Sequence, residues 1–273
     1  MTEPQVTSAY ASPTGRVQAW TEASTLHIRF DHPARHNALS VDMWQAIPPL
    51  LAQAERDDAI RLVVFSGAGE TAFASGADIS QFEDMRAARE AVAHYETIAE
   101  DALAAIYRCA KPTLACIRGY CIGGGLNVAI SCDIRIAADD AAFAIPAARL
   151  GLGYRLSALK NLVHLVGVGV AKDLFFTGRR IGAQEAKEVG LVSRACPAAD
   201  LPALLGEYTL AMSENAPLTV HAGKRILQEL LKDDAGLDRT LCQQLIRQCF
   251  DSEDYAEGRR AFMEKRKPVF RGK

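Results

Sequence analysis

Apolar and polar positions alternate at two places near the start of the chain, Val17 to Trp20 and Leu26 to Phe30, on either side of Glu22-Ala-Ser24. Period-two alternation predicts a hairpin with one buried face. Farther on, Ile60 to Phe65 and Thr113 to Ile117 are apolar runs bounded by turn residues, with no polar face. Such runs predict strands covered on both sides. Asp133 to Ala137 reads as another strand, and Asp139-Asp140 as the turn after it. Helical stretches lie between these runs. Ser40 is a predicted N-cap for a helix beginning at Val41, and Pro48-Pro49 predict a break in it. Glu83 to Ala110 runs without Gly or Pro up to Lys111-Pro112 and predicts one long helix. Leu126 to Cys132 predicts a short apolar helix, and Phe143 to Tyr154, punctuated by Pro146, Gly151 and Gly153, is irregular. Leu156 to Val166, Val170 to Phe176 and Ala183 to Val189 then read as helices closed by Gly167, Gly178 and Gly190.

The recurring order of strand, glycine turn and helix predicts an α/β domain with its ligand site at the strand-to-helix turns. Beyond Pro197 the pattern is helical only: Leu201 to Ser213, Leu218 to Leu231, Leu237 to Phe250 and Asp251 to Lys267. Leu227, Leu230 and Leu231 share one apolar face there, suited to packing on the core or on a partner subunit. The expected organisation is a loose, polar N-terminal tail over residues 1–15, an α/β core over 16–197 and a helical region over 198–273.

Composition narrows the function classes. With 273 residues, 49% of them hydrophobic, the chain can bury one large core. A formal charge of −2 makes no electrostatic case for nucleic acid or an acidic membrane surface. No apolar run approaches the roughly 20 residues of a membrane-spanning helix. The first fifteen residues carry no hydrophobic signal core, so a cytoplasmic location is the expectation. Seven cysteines form an odd set without a C-x-x-C pair and are expected to be reduced. Pro33 separates the close pair His32 and His36, which argues against a shared metal-binding helix face, and no metal is expected.

The candidate chemistry sits at Gly119-Tyr-Cys-Ile-Gly-Gly-Gly125, where a strand feeds a glycine run and an apolar helix. Ala72-Phe-Ala-Ser-Gly-Ala-Asp-Ile79 is a second glycine turn of the same kind. The spacing matches neither G-x-x-x-x-G-K-[ST] nor G-x-G-x-x-G, which disfavours nucleotide phosphate binding. Two uses of the triplet remain. Free N–H groups at a helix start can stabilise an oxyanion that develops during reaction, or three glycines can merely allow tight helix-on-strand packing.

The residues now quoted carry a resemblance to a known family. Asn37-Ala-Leu39, Phe73-Ala-Ser-Gly-Ala-Asp-Ile79, the glycine run, Cys132-Asp133, Phe175-Phe-Thr-Gly178, Ala183-Gln-Glu-Ala186, Gly190-Leu-Val192 and Ala261-Phe-Met-Glu-Lys-Arg-Lys267 resemble the crotonase, or enoyl-CoA hydratase/isomerase, superfamily. The resemblance runs from about Val17 to Phe270. It implies an α/β spiral of ββα units, a C-terminal helical region that builds homotrimers or dimers of trimers, and an acyl-CoA substrate. Coenzyme A would enter as part of the thioester, with no separate cofactor. The implied oxyanion donors are the backbone N–H groups of Ala77 and Gly124. The stretch Arg35 to Leu39, with Asn37 and Ala38, would lie along the nucleotide and pantetheine of CoA, and Phe262 and Lys265 would reach the nucleotide from the tail.

The chain departs from the hydratase pattern at two positions. Hydratases of the family carry one glutamate two residues after the glycine triplet, here Asn127, and another after the proline of F-x-x-P, here Ala147. Hydration needs a group that takes a proton from water and one that delivers a proton to carbon, and neither Asn nor Ala does this. Two backbone donors remain, each worth roughly 3 kcal/mol by analogy with oxyanion-hole deletions. Loss of CO₂ from a 2-carboxyacyl-CoA forms an enolate without a base. The segments Leu150-Gly-Leu-Gly-Tyr154 and Lys160-Asn-Leu162, with the chain's tail, resemble the methylmalonyl-CoA decarboxylase branch, and Tyr154 matches its tyrosine beside the substrate carboxylate. That branch has a glutamate at the Asn127 position and a histidine at the Ala77 position. Three readings follow in order: a decarboxylase-like lyase, with Tyr154 donating to the leaving carboxylate and Asn127 as a neutral polar contact; a hydratase or isomerase whose carboxylate is displaced, with Asp78, Glu83 or a residue of the long helix over 83–110 as candidates; and an acyl-CoA-binding protein without turnover.

Overall fold

The computed structural model describes residues 10–12, 14–78 and 89–273. The predicted hairpin is present: β2 (Val17–Glu22) pairs antiparallel with β3 (Thr25–Phe30), with Val17 opposite Phe30. Within the stretch expected to be a loose tail, β1 (Tyr10–Ala11) adds to β2, with Tyr10 opposite Ala19. That sheet continues through parallel strands β4 (Leu62–Gly67), β6 (Thr113–Ile117), β8 (Ile134–Ala138) and β11 (Arg194–Cys196), in the order β1-β2-β3-β4-β6-β8-β11. A smaller sheet contains β5 (Ala72–Ala74), β7 (Tyr120–Ile122), β9 (Ala142–Ala144) and β10 (Ile181–Gly182), in the order β10-β9-β7-β5.

The two sheets alternate along the chain. Each step goes from a strand of the large sheet to a short strand of the small sheet and then to a helix. β4 and β5 are followed by α2 (Arg89–Arg108), β6 and β7 by α3 (Gly124–Ser131), and β8 and β9 by α4 (Ala147–Leu150). These are successive ββα units of a spiral. The short strands β7 and β9 were not predicted, because three residues between turns carry too little periodicity to register.

α1 (Val41–Arg56) runs unbroken through Pro48 and Pro49, against the expected break. Met43, Trp44, Ile47, Leu50 and Leu51 on one side of it are buried, while Pro49 lies on the exposed side. Packing of that apolar face outweighs the two backbone hydrogen bonds that the prolines cannot donate. Of the long helix expected from Glu83, residues before 89 lie outside the described range, and α2 ends at Arg108 just before Pro112. α5 (Leu156–Thr177) is interrupted at Gly167, whose φ of 73° and ψ of 163° separate the two helical stretches expected there, and α6 (Ala183–Glu188) follows.

The main core surrounds Phe30, Trp44, Phe65, Phe73 and Phe143, all at most 1% exposed. On the other face of the large sheet, Leu62, Val64, Leu114 and Ile136 pack against Leu201 and Leu204 of α7 (Leu201–Glu214). This second layer explains why β4 has no polar face. Next, α8 (Pro217–Glu229) docks through Lys224, whose Nζ donates to Asp133 Oδ2 at 2.7 Å and to the Lys111 carbonyl at 3.1 Å. Helices α9 (Arg239–Phe250) and α10 (Glu253–Met263) follow. The tail after α10 is clamped by the buried Asp254 carboxylate, which accepts from the Arg271 and Gly272 N–H groups at 2.7 and 2.8 Å. The helical region is thus tied to the core of its own chain, but the face of Leu227, Leu230 and Leu231, expected to pack on the core or on a partner subunit, is exposed.

Candidate active site

The two glycine turns stand side by side because β5 and β7, which feed them, are parallel neighbours. At the first, Ala77 forms a parallel bridge with Leu39: Leu39 N–H donates to the Gly76 carbonyl at 2.7 Å and Asp78 N–H to the Leu39 carbonyl at 3.0 Å. The loop before Leu39 is held by Asn37. Its amide nitrogen donates to the Ala68 and Ala72 carbonyls at 3.0 and 2.7 Å, and its oxygen accepts from His32 N–H at 2.8 Å. The buried Asn37 side chain therefore organises the loop. In this stretch, Arg35 and His36 are the exposed side chains, while Ala38 and Leu39 are buried.

At the second turn the three glycines serve three purposes. Gly123 adopts φ 52°, a value a side chain resists, and its N–H donates to the Ala144 carbonyl at 2.9 Å. A methyl on Gly125 would lie 2.1 Å from the Ala74 carbonyl oxygen, so this residue permits the packing of α3 on β5. A methyl on Gly124 would lie 3.5 Å from Ala77 N and 3.3 Å from Trp44 Cζ2. The packing use weighed for the triplet is realised at Gly125, and Gly124 is the residue whose position suits the other use. The first intrahelical bond of α3 runs from Asn127 N–H to the Gly123 carbonyl, which leaves Gly124 N–H among the free donors of the helix start. Among the described residues, neither Ala77 N–H nor Gly124 N–H has a backbone acceptor.

One turn into α3, Asn127 is 5% exposed, and Tyr154 Oη donates to its Oδ1 at 2.6 Å. The Tyr154 ring meets Phe175 edge-on with centroids 5.5 Å apart. Burial raises the Tyr154 pKa above its ordinary value, more than the bond to Asn127 lowers it, so the hydroxyl is a protonated donor. With Oδ1 engaged by Tyr154, the amide nitrogen of Asn127 makes no hydrogen bond among the described residues. Ala147 is buried at the start of α4. Asn127 and Tyr154 are thus brought together, but the tyrosine's proton points at the asparagine.

Two residues missed in the sequence complete the surroundings. Trp44 lies beneath Gly124, and its Nε1 donates to Tyr95 Oη at 2.9 Å. Burial, with a smaller contribution from the Asp78 charge, pushes the Tyr95 hydroxyl up to about 12. Their signal was helical spacing of apolar positions, which marks both as core without pairing them. Asp78 itself is a buried carboxylate, 6% exposed, directly after Ala77. Glu83 lies outside the described residues. Arg155, next to Tyr154, is held by Glu96 at 2.7 Å and Glu100 at 3.6 Å on α2.

Phe262 and Lys265 are not drawn into this cluster. Both are exposed at the end of α10, and among the described residues no hydrogen bond or ring contact ties them to the glycine turns. Phe262 instead lines an apolar groove with Phe250, Tyr255 and Phe270. Among the described residues, no group of three His, Cys, Asp or Glu side chains is placed to hold a metal ion, and no helix is long and apolar enough to cross a membrane.

A family model described as enoyl-CoA hydratase/isomerase matches residues 21–273. The chain is 31% identical over 242 residues to the crotonyl-CoA hydratase of Syntrophomonas wolfei, an alignment spanning 88% of this chain and 92% of that one. It is 30% identical over 246 residues to the short-chain-enoyl-CoA hydratase of Clostridium acetobutylicum, spanning 90% and 94%. Among solved structures, an enoyl-CoA hydratase/carnithine racemase from Magnetospirillum magneticum is similar with a TM-score of 0.90 at 31% identity, covering 94% of this chain and 96% of that one.

Proposed function

This chain belongs to the enoyl-CoA hydratase/isomerase family, and from that premise we propose that it is an acyl-CoA enzyme that stabilises a thioester enolate, acting as a decarboxylase-like lyase on a 2-carboxyacyl-CoA. The observation that carries this reading is the hydrogen bond from Tyr154 to Asn127. It occupies the side-chain part of the site with two groups that are neutral at ordinary pH. The family relatives named above are hydratases, and the decarboxylation step goes beyond them.

In this mechanism the thioester oxygen accepts hydrogen bonds from the N–H groups of Ala77 and Gly124. The substrate carboxylate accepts from the free amide nitrogen of Asn127, whose orientation Tyr154 holds. The bond from C2 to the carboxylate breaks, CO₂ leaves, and its electron pair becomes the enolate, whose charge rests on the thioester oxygen. Water then protonates C2. No residue has to remove a proton from carbon, which suits a pocket with Asn127 and Ala147 at these positions. Tyr154 positions rather than donates to the carboxylate, a change from the role expected for it.

A second reading has one observation in its favour, the burial of Asp78 beside Ala77. A carboxylate there would serve as the acid or base of a hydratase or isomerase. The deciding assay incubates purified protein separately with methylmalonyl-CoA and crotonyl-CoA and reads products by mass spectrometry against no-enzyme controls. Loss of CO₂ from the first, without water gained by the second, is the expected result. Hydration of crotonyl-CoA alone, abolished in Asp78→Asn, would replace the first reading by the second. Silence on both with CoA esters still bound would mean binding without turnover.

A further inference from the structure

The helix that presents Gly124 carries a buried charge at its other end. Arg135, in β8, is 4% exposed. Its Nη1 donates to the Cys132 carbonyl at 2.7 Å and to the Ala129 carbonyl at 3.4 Å, the latter also accepting from Cys132 N–H at 3.2 Å, so the guanidinium sits against the C-terminal carbonyls of α3. Nε donates to the Leu191 carbonyl at 2.8 Å and Nη2 to the Asp133 carbonyl at 3.4 Å. No carboxylate of the described residues pairs with this guanidinium. The adjacent Asp133 is turned away and engaged by Lys224 Nζ at 2.7 Å and by Thr113 N–H and Oγ1 at 2.7 and 2.9 Å. The neighbouring thiols Cys121 and Cys132 are pushed up by burial and stay neutral.

A buried cation whose hydrogen bonds all go to carbonyls, with the Asp133 charge acting on it only from a distance, is an expensive way to tie down a helix end, since a neutral donor would bond the same oxygens without the desolvation of a charge. What a neutral donor lacks is a long-range field. A cation at a helix C-terminus offsets the negative pole there and leaves the positive potential at the N-terminus less cancelled. We infer that Arg135 is a positioning residue for the oxyanion: it anchors the C-terminal end of α3, and its charge raises the positive potential at Gly124 N–H. The inference rests on reading the glycine turns as an oxyanion hole. Eight residues of helix rise about 12 Å. Over that distance, at an effective dielectric of about 20, a unit charge changes the stability of a developing anion by roughly tenfold.

The test uses butyryl-CoA labelled with ¹³C at the thioester carbonyl, a ligand with neither double bond nor 2-carboxylate. The readout is the carbonyl stretch of the ligand bound at saturation to the full chain, measured by infrared difference spectroscopy. Wild-type protein should move the band to lower frequency than in water, Arg135→Met should lose part of that shift, and Arg135→Lys should keep it. In the product assay, Arg135→Met should lower kcat about tenfold with KM unchanged. A wild-type band in a folded Arg135→Met protein would overturn the inference and leave Arg135 with packing alone. Absence of any shift in the wild type would instead overturn the oxyanion hole itself, and the inference with it. Should Arg135→Met fail to fold, Arg135→Gln decides, because it keeps a donor for the carbonyls without the charge. A reduced shift there supports the inference, and an unchanged shift overturns it.

Discussion

The two halves of the candidate site are held in different ways. One half is backbone: Ala77 and Gly124 are set by the parallel pairing of β5 and β7, by the Leu39 bridge and by the start of α3. The other is side chain: Asn127, Ala147 and Tyr154 project from α3, α4 and the turn before α5, and one hydrogen bond joins two of them. The backbone half cannot change without disturbing the spiral, whereas the side-chain half can change one residue at a time. A fold built this way keeps charge stabilisation constant and leaves proton handling open to variation.

The strongest way to break the comparison is to alter a backbone glycine. Gly125→Ala places a methyl 2.1 Å from the Ala74 carbonyl oxygen, and the backbone there has nowhere to move. The expected outcome is loss of about 3 kcal/mol or more of stability, read as a lowered melting temperature or insoluble protein. Gly124→Ala separates folding from function. Gly124 has helical φ, so alanine is tolerated conformationally, but the methyl would sit 3.5 Å from Ala77 N, where the thioester oxygen has to enter. We expect a folded protein whose turnover falls roughly 100-fold to 1,000-fold, comparable to deletion of an oxyanion donor. A Gly124→Ala enzyme with near-normal kcat would remove the backbone half from the mechanism.

Changes in the side-chain half should be smaller and should alter chemistry more than stability. Asn127→Ala removes the proposed donor to the substrate carboxylate. A hydrogen bond to a charged group contributes about 1.5–3 kcal/mol, so turnover of methylmalonyl-CoA should fall between about tenfold and 150-fold. Asn127→Asp sharpens the point, because it puts a negative charge beside the substrate carboxylate in nearly the same volume. Turnover should fall at least as far as in the alanine variant. If the Asn127→Asp substitution instead conferred hydration of crotonyl-CoA, the pocket would be shown to await a base, in favour of the hydratase reading.

The two halves also differed in how far they were legible. Apolar runs without a polar face announced β4 and β6, and glycines at strand ends announced both turns, because each is a local consequence of chain chemistry. What the glycines did was legible only as alternatives. Separating Gly124 from Gly125 needs the position of Ala74, far away in sequence. Asn127 and Tyr154 were both singled out, but the hydrogen bond between them was not legible, since it is a contact that packing alone creates. Asn37 was expected along CoA, and its hold on His32 N–H and on the distant Ala68 and Ala72 carbonyls was not legible, because two of the three partners lie more than thirty residues away. The break expected at Pro48-Pro49 failed because tertiary packing of Trp44, Ile47 and Leu50 overrode a local rule.

The smallest expected effect is the most discriminating. Tyr154→Phe removes the hydroxyl that holds the Asn127 amide, without removing the amide itself. If Tyr154 only positions Asn127, kcat for decarboxylation should fall a few-fold, consistent with one neutral hydrogen bond of about 1 kcal/mol, and the protein should remain folded. The pH profile carries the sign. Burial disfavours the phenolate, so the folded-state pKa of Tyr154 is raised above the ordinary value and the hydroxyl stays protonated through the alkaline range. The wild-type rate should therefore show no alkaline loss attributable to this group below about pH 10, and Tyr154→Phe should leave the profile's shape unchanged while lowering its height. Were the wild-type rate to fall at lower pH with a limb that disappears in Tyr154→Phe, the tyrosine would be giving its proton to the reaction. The side-chain half would then contain an acid after all, and its contrast with the backbone half would narrow from neutral against polar to a question of which group protonates the enolate.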